Sequence, residues 1–167
     1  SDLRSKIAVV SQDPYIFSGS LRNNIFTQKN QMSDRKINDI LEISYCKSFI
    51  DKLPSGLDSE MTESGSSLSS GERQLISIAR ALAHNPDLII FDEATSYVDS
   101  ETESKISDAL SNLMKNRTSI IIAHRLSTAR DADRIMVLHS GKIIETGSHN
   151  QLMKQKGFYF RLNQLQG

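Results

Sequence analysis

The sequence predicts an α/β fold with a parallel sheet. Two short apolar runs, 88–91 and 120–123, each end abruptly in polar residues. Strands of a parallel sheet are covered on both faces, so they read as continuous apolar runs, and we expect both runs to be buried. The segment between them has an apolar stripe at helical spacing and begins with a capping box of Ser100 and Glu103. A strand, a helix and a second strand form a βαβ unit, from which parallel sheets are built.

The amino-terminal part predicts one more strand and a small helical region. Residues 7–10 are apolar and of strand type, and Pro14 breaks the segment that follows because proline has no N–H to donate to a ladder. No start signal precedes that strand, so we expect the chain to begin inside a domain. Apolar residues then fall at helical spacing between 21 and 53, and 54–67 are rich in turn residues.

The remaining elements are a long helix, a hairpin and short terminal helices. Apolar residues share one face of a helix from about 70 to 82, and Asn85-Pro86 ends it. Residues 134–145 flank a Ser-Gly pair and predict a hairpin, and short helices follow from about 149. We expect a strand and loop at 1–20, a helical subdomain at 21–84 and the second half of the core at 85–167.

Composition limits the classes of function. The chain has 167 residues, 38% of them hydrophobic, which is enough for one domain with a core. Lys plus Arg and Asp plus Glu are each 20, so nothing suggests a general nucleic-acid binder. The single cysteine, Cys46, cannot form an internal disulfide, which fits a reducing compartment. No apolar run approaches the roughly 20 residues that a membrane helix needs, so any membrane link would come through a partner.

Four places in the chain carry residues suited to phosphate chemistry. Asp92 and Glu93 follow an apolar strand, where α/β sheets place ligands; the alternative is a strand that simply ends in a charged turn. The Ser69-Ser70-Gly71-Glu72 turn opens a helix whose free N–H groups could bind an anion, although ordinary capping also explains its serines. His124 follows the second apolar strand, where a lone histidine is more often structural, and Gln12 follows the first, where alone it is typical of an ordinary polar turn.

The order of these motifs resembles the ATP-binding cassette (ABC) ATPases along essentially the whole chain. Gln12 matches the family's Q-loop, His124 its H-loop, and 68–72, 88–93 and 96–99 its signature motif, Walker B motif and D-loop. Residues 16–25, 63–65 and 141–159 are similar to segments of exporters in particular. The resemblance implies a partial P-loop NTPase (RecA-like) sheet with an inserted α-helical subdomain, a C-terminal β-hairpin and helices.

The resemblance also implies roles, with ATP and Mg²⁺ as cofactors. Two such domains close head to tail, so that Ser69 and Gly71 touch the γ-phosphate of the partner's nucleotide, with Ser70, Glu72 and Asp99 also at the nucleotide. Asp92 supports Mg²⁺ and Gln12 lies near the metal, partly through water; Glu93 acts as base and His124 contacts the γ-phosphate. The implied partners are a second nucleotide-binding domain and a transmembrane domain, with no nucleic acid. The implied location is the cytoplasmic face of the cell (inner) membrane, reached through that transmembrane domain.

Three features depart from the family pattern. Ser70 stands where the family usually has glycine, and Glu72 stands where it usually has glutamine. A carboxylate near phosphate would repel it unless Arg73 or the local geometry turns it away. The phosphate-binding loop G-x-x-x-x-G-K-[ST], or Walker A motif, is absent, and in the family it belongs to a strand beside 120–123. We therefore expect the isolated chain to hydrolyse ATP poorly or not at all, and its 120–123 strand to expose an apolar edge.

Two other functions remain open on sequence grounds. One is a soluble cassette ATPase of DNA repair or translation, which would lack the exporter-like segment at 16–25. The other is a catalytically idle binding module. The transported substrate, and the choice between homodimer and heterodimer, cannot be read from these residues.

Overall fold

A computed structural model describes residues 3–11, 14–26, 32–65, 67–92, 99–123 and 126–166. The described residues form two compact units, residues 1–120 and 121–167. The sheet contains three strands in the order β1 (Ile7–Val10), β4 (Leu88–Asp92) and β5 (Thr118–Ile122). β1 and β4 run parallel, with Ile7 opposite Leu88 and Val10 opposite Phe91. The predicted parallel sheet is confirmed.

The helical region between β1 and β4 is confirmed in outline. Its helices are α1 (Leu21–Ile25), α2 (Asp34–Ile43), α3 (Lys47–Ile50) and α4 (Ser70–His84). A small sheet that the sequence did not predict joins its two ends: β2 (Gly19–Ser20) pairs antiparallel with β3 (Glu60–Met61). Strands of two residues have too little periodicity to be recognised in a sequence.

The helix α4 is the central element of the first unit. It contacts α1, α2, β1 and α5 (Ser100–Met114). Its apolar residues join a core whose members are almost fully buried: Val10, Ile16, Leu21, Ile76, Ile78, Ile89, Ile106 and Leu113. The helix ends at Asn85, whose left-handed backbone (φ 51°) is a common helix terminator, and Pro86 follows. α4 runs two residues beyond the predicted end.

The second unit contains α6 (Leu126–Arg130), the hairpin of β6 (Ile135–His139) and β7 (Lys142–Gly147), and then α7 (His149–Gln155) and α8 (Phe158–Gln166). Ser140 and Gly141 both have positive φ, as a tight hairpin turn requires, so the predicted hairpin is confirmed. Its core is formed by Ile135, Val137, Leu152 and Tyr159. Within the described ranges, no helix combines the length and the apolar composition that a bilayer crossing requires.

The expected burial of both apolar strands is only half right. In β4, Ile89 and Phe91 are buried. In β5, Ile120 and Ile122 are 44% and 47% exposed, and β5 lies at an edge of the three-stranded sheet. Burial on both faces was wrong for β5, whereas the exposed apolar strand expected at 120–123 is found.

Candidate functional site

The amino-terminal turn of α4 is closed by a capping box. The Oγ of Ser69 accepts a hydrogen bond from the backbone N–H of Glu72 at 3.2 Å. In return, a carboxylate oxygen of Glu72 accepts from the backbone N–H of Ser69 at 2.7 Å. The sequence left open where this carboxylate points; the structure shows that it turns back to its own backbone.

Two N–H groups of this turn stay available. The backbone N–H groups of Ser70 and Gly71 have no acceptor among the residues that the structure describes; Ser69 and Ser70 are exposed, whereas Gly71 is buried. The dipole of a 15-residue helix adds partial positive charge at this end. The two serines of the turn therefore face solvent, and the N–H of Ser70 is a donor that suits an anion.

Arg73 stabilises the turn without pairing with Glu72. Its guanidinium donates to the backbone carbonyl of Leu68 at 2.7 Å, and the Leu68 side chain is buried. The carbonyl of Leu68 would otherwise lie unpaired beside the helix start, where such groups are costly. Arg73 thus fixes the path of the chain into Ser69.

Asp92 ends β4 with an exposed side chain. It therefore lies at the carboxyl edge of a parallel strand, where open α/β sheets bind ligands. One exposed carboxylate fits Mg²⁺, which takes oxygen ligands and is usually bound through one or two carboxylates, waters and substrate phosphates. Among the described residues, no cluster of three or more His, Cys, Asp or Glu side chains could hold a metal by itself.

Asp99 is the N-cap of α5, which corrects the predicted capping box of Ser100 and Glu103. Its carboxylate accepts from the backbone N–H of Thr102 at 3.0 Å, and Ser100 is the first helical residue. The hydrogen bond from Thr102 lowers the pKa of Asp99 because it favours the charged form. Asp99 therefore has a local role as a helix cap. Its contact across a dimer stays a prediction.

Three predicted site residues, Gln12, Glu93 and His124, lie outside the described residues, as do Ser96 to Val98 of the predicted D-loop. Their convergence with Asp92 stays a prediction. The described parts of the site are therefore the turn at 69–72, Asp92 and Asp99.

One polar cluster was missed by the sequence reasoning. Arg80 of α4 and the buried Asn24 of α1 bind each other and the segment 14–20. The available signal was an arginine within the mostly buried run Ile76 to Ala81, because a charge there needs partners.

Comparison with known proteins identifies the family. The ABC transporter family model matches residues 1–96, which is more than half of the chain. The chain belongs to the ABC transporter family. The "Probable multidrug resistance ABC transporter ATP-binding/permease protein YheH" of Bacillus subtilis is 46% identical over 99% of the chain and 24% of its own length. The "ATP-dependent lipid A-core flippase" of Desulfotalea psychrophila is 45% identical over 99% of the chain and 29% of its own length.

A solved structure agrees with these relatives. A bacterial Atm1-family ABC exporter with ATP bound matches 98% of the chain and 29% of its own length, with a TM-score of 0.86 and 37% identity. The chain thus spans about a quarter of the length of these ABC exporters and relatives. The predicted family and the P-loop NTPase fold class are confirmed.

Proposed function

We propose that this chain is part of the ATP-binding and ATP-hydrolysing motor of an ABC exporter, in which hydrolysis drives transport across a membrane. The observation that carries the proposal is the exposed turn of Ser69 and Ser70 at the start of α4, where the backbone N–H of Ser70 has no acceptor among the described residues. Such a turn suits a phosphate presented by a neighbouring molecule. The identity to exporters over nearly the whole chain supports the same function.

Each site residue has a proposed task. Ser69, Ser70 and Gly71 bind the γ-phosphate of a nucleotide held by a second nucleotide-binding domain, while Glu72 keeps the turn closed. Glu93 takes a proton from the attacking water, and His124 and Gln12 orient the phosphate and that water. Asp92 would hold Mg²⁺, which neutralises the charge that develops on the phosphate oxygens. Asp99 lies near the dimer contact.

The proposed partners are a second nucleotide-binding domain and a transmembrane domain at the cytoplasmic face of the cell membrane. The fusion named in the YheH description, "ATP-binding/permease", supports a transmembrane partner in the same polypeptide. The relatives named for multidrug resistance and for lipid A-core are about equally similar to the chain. The class of exported substrate is therefore left open.

The test is ATP turnover by the membrane-reconstituted transporter that contains these residues. Glu93→Gln should abolish Mg²⁺-dependent hydrolysis, and Ser69→Ala should lower kcat at least tenfold. The matched control is Ser148→Ala, because Ser148 forms the same kind of capping box, with Gln151, at the start of α7. An equal loss of kcat in the two serine variants would show that Ser69 acts only as a helix cap. The proposal would then lose its main support.

The same preparation distinguishes the alternatives. A cassette ATPase of DNA repair or translation would be stimulated by DNA or by ribosomes and would need no membrane. An idle binding module would bind Mg²⁺-ATP without turnover, and Glu93→Gln would then change nothing.

A further inference from the structure

The segment between the predicted Q-loop and α1 is held against α4 by one arginine. Arg80 donates through Nε to the backbone carbonyl of Asn24 and through a terminal nitrogen to the carbonyl of Tyr15, 2.6 Å away. The other terminal nitrogen donates to Oδ1 of Asn24 at 2.7 Å. All three guanidinium nitrogens are therefore used, and the charge lies 5.7 Å from the centroid of the Phe17 ring.

Asn24 completes the attachment from the other side. Its Oδ1 also accepts from the backbone N–H of Phe17 at 2.9 Å. Its amide nitrogen donates to the carbonyls of Phe17 at 2.9 Å and Ser20 at 3.1 Å. The side chain is buried, so these hydrogen bonds are sheltered from water and costly to break.

A second connection joins the same segment to the residues before the turn at Ser69. The hydroxyl of Tyr15 donates to the carboxylate of Glu63, and this hydrogen bond raises the pKa of Tyr15. Ile16 packs so closely on Gly65 that a Cβ there would lie 2.9 Å from Ile16 Cγ1. The segment 14–17 is thus held both by residues just before the turn and by Arg80, about three helical turns after it.

The clamped segment presents an aromatic pair to solvent. Tyr15 and Phe17 are 47% and 61% exposed, and their rings meet edge to face with centroids 5.0 Å apart. Because a helix moves as a unit, any displacement of the turn at Ser69 also moves Arg80. The contacts of Arg80 with Tyr15 and Phe17 then move the aromatic pair.

We propose that Arg80 is a positioning residue that couples the nucleotide-dependent position of α4 to the segment 14–25. Within the described part of the chain, no hydrogen bond joins Arg80 to a predicted nucleotide-binding residue. The proposal rests on the proposed function, because it needs the turn at Ser69 to respond to nucleotide. Lysine cannot replace Arg80, since a single ammonium group cannot reach the separated acceptors that the planar fork satisfies.

The test is hydrogen exchange measured by mass spectrometry on the membrane-reconstituted transporter, with every sample carrying Glu93→Gln to retain the nucleotide. In the reference protein, Mg²⁺-ATP should slow exchange at least fivefold both in residues 69–73 and in residues 14–25. With Arg80→Lys, residues 69–73 should still be protected fivefold, whereas protection of 14–25 should fall below twofold. The matched control is Arg22→Lys, because Arg22 forms an exposed ion pair with Asp58 at 2.9 Å; it should keep both responses.

The outcomes separate the two proposals. If nucleotide does not protect 69–73 in the reference protein, the proposed function fails. The coupling proposal is overturned if residues 69–73 are protected by nucleotide but residues 14–25 are not. It is also overturned if Arg80→Lys leaves unchanged the ratio of exchange rates of residues 14–25 without and with nucleotide; that result would mean that Arg80 has a purely structural role. If Arg80→Lys does not fold, Asn24→Ser is the substitute variant, because it removes one acceptor of Arg80 and keeps the arginine. It should also weaken the protection of residues 14–25 by Mg²⁺-ATP.

Discussion

A carboxylate at position 72 acts in this molecule as a capping group. Its oxygen lies 2.7 Å from the backbone nitrogen of Ser69, and glutamine could make the same contact through its amide oxygen. We therefore expect Glu72→Gln to change the free energy of unfolding by less than about 0.5 kcal/mol, and Glu72→Ala to lower it by about 1 kcal/mol. Urea unfolding followed by circular dichroism measures both.

Comparable losses from the two variants would show that the charge, rather than the hydrogen bond, stabilises the turn. Ser148 and Gln151 provide an internal comparison, because that capping box already has glutamine at the equivalent position. Gln151→Ala should cost about as much as Glu72→Ala, roughly 1 kcal/mol.

The thiol of Cys46 should react very slowly with alkylating reagents in the folded chain. Its side chain is fully buried, and desolvation raises the pKa of its thiol from 9.0 to about 12. Alkylation by iodoacetamide at pH 8 should therefore be at least about 100-fold slower in buffer than in guanidinium chloride, because the thiolate is the reactive form. Similar rates in the two solvents would contradict the burial of Cys46.

The same pKa sets the direction of a pH effect. The folded-state pKa is raised, so the contribution of this thiol to stability is fully present below pH 9 and is lost as the pH rises toward about 12. Cys46→Ala should remove that part of the alkaline loss of stability.

How far single residues can be predicted depends on whether their role is local. The serine turn before α4 could be placed from sequence because capping and anion binding both depend on neighbouring residues. Arg80 and Asn24 could not be paired, because they are far apart in sequence and meet only when α1 packs on α4. The convergence of Glu93 and His124 with Asp92 stays a prediction.

At the scale of elements, α5 shows how a cap fixes a helix start. The sequence analysis places the cap at Ser100, whereas in the structure the carboxylate of Asp99 accepts from the N–H of Thr102. We expect Asp99→Ala to lower the urea midpoint of unfolding clearly and Ser100→Ala to leave it almost unchanged. Asp99→Asn should keep the cap, because its side-chain oxygen can accept the same hydrogen bond.

The ionised form of Asp99 gives this cap a pH dependence. The hydrogen bond from Thr102 lowers the folded-state pKa of Asp99 below its ordinary value, so the stabilisation is present above that ordinary pKa and is lost as the pH falls through the folded-state pKa. The Asp99→Asn variant should lack this acid-induced loss. An unchanged acid profile would show that another carboxylate is responsible.

Long periodic elements could be predicted, whereas short paired ones could not. The sequence predicts the start of α4 at Ser70 correctly, whereas the helix ends at His84, two residues after the predicted end, with Asn85 as its C-cap. The pairing of β2 with β3 depends on tertiary packing, and two residues in each strand leave no periodic signal.

At the scale of the whole molecule, the strand order determines which strand of the three-stranded sheet is buried and which is exposed. The order β1-β4-β5 places the strand of Asp92 in the middle of its sheet and β5 at an edge. The apolar composition of β5 predicted a strand correctly but predicted its burial wrongly. Composition indicates a preference for burial, and whether a neighbour covers the strand depends on the rest of the fold.

The exposed face of β5 should make the isolated chain self-associate. Ile120 and Ile122 lie on the same face of an edge strand, where apolar exposure favours pairing between molecules. Sedimentation velocity should show concentration-dependent association, and the double variant Ile120→Lys with Ile122→Lys should weaken it at least about tenfold. The matched control is Leu165→Lys on α8, because Leu165 is more exposed, at 82%, but is not in a strand. Equal weakening by the control would assign the association to general apolar exposure rather than to the strand edge.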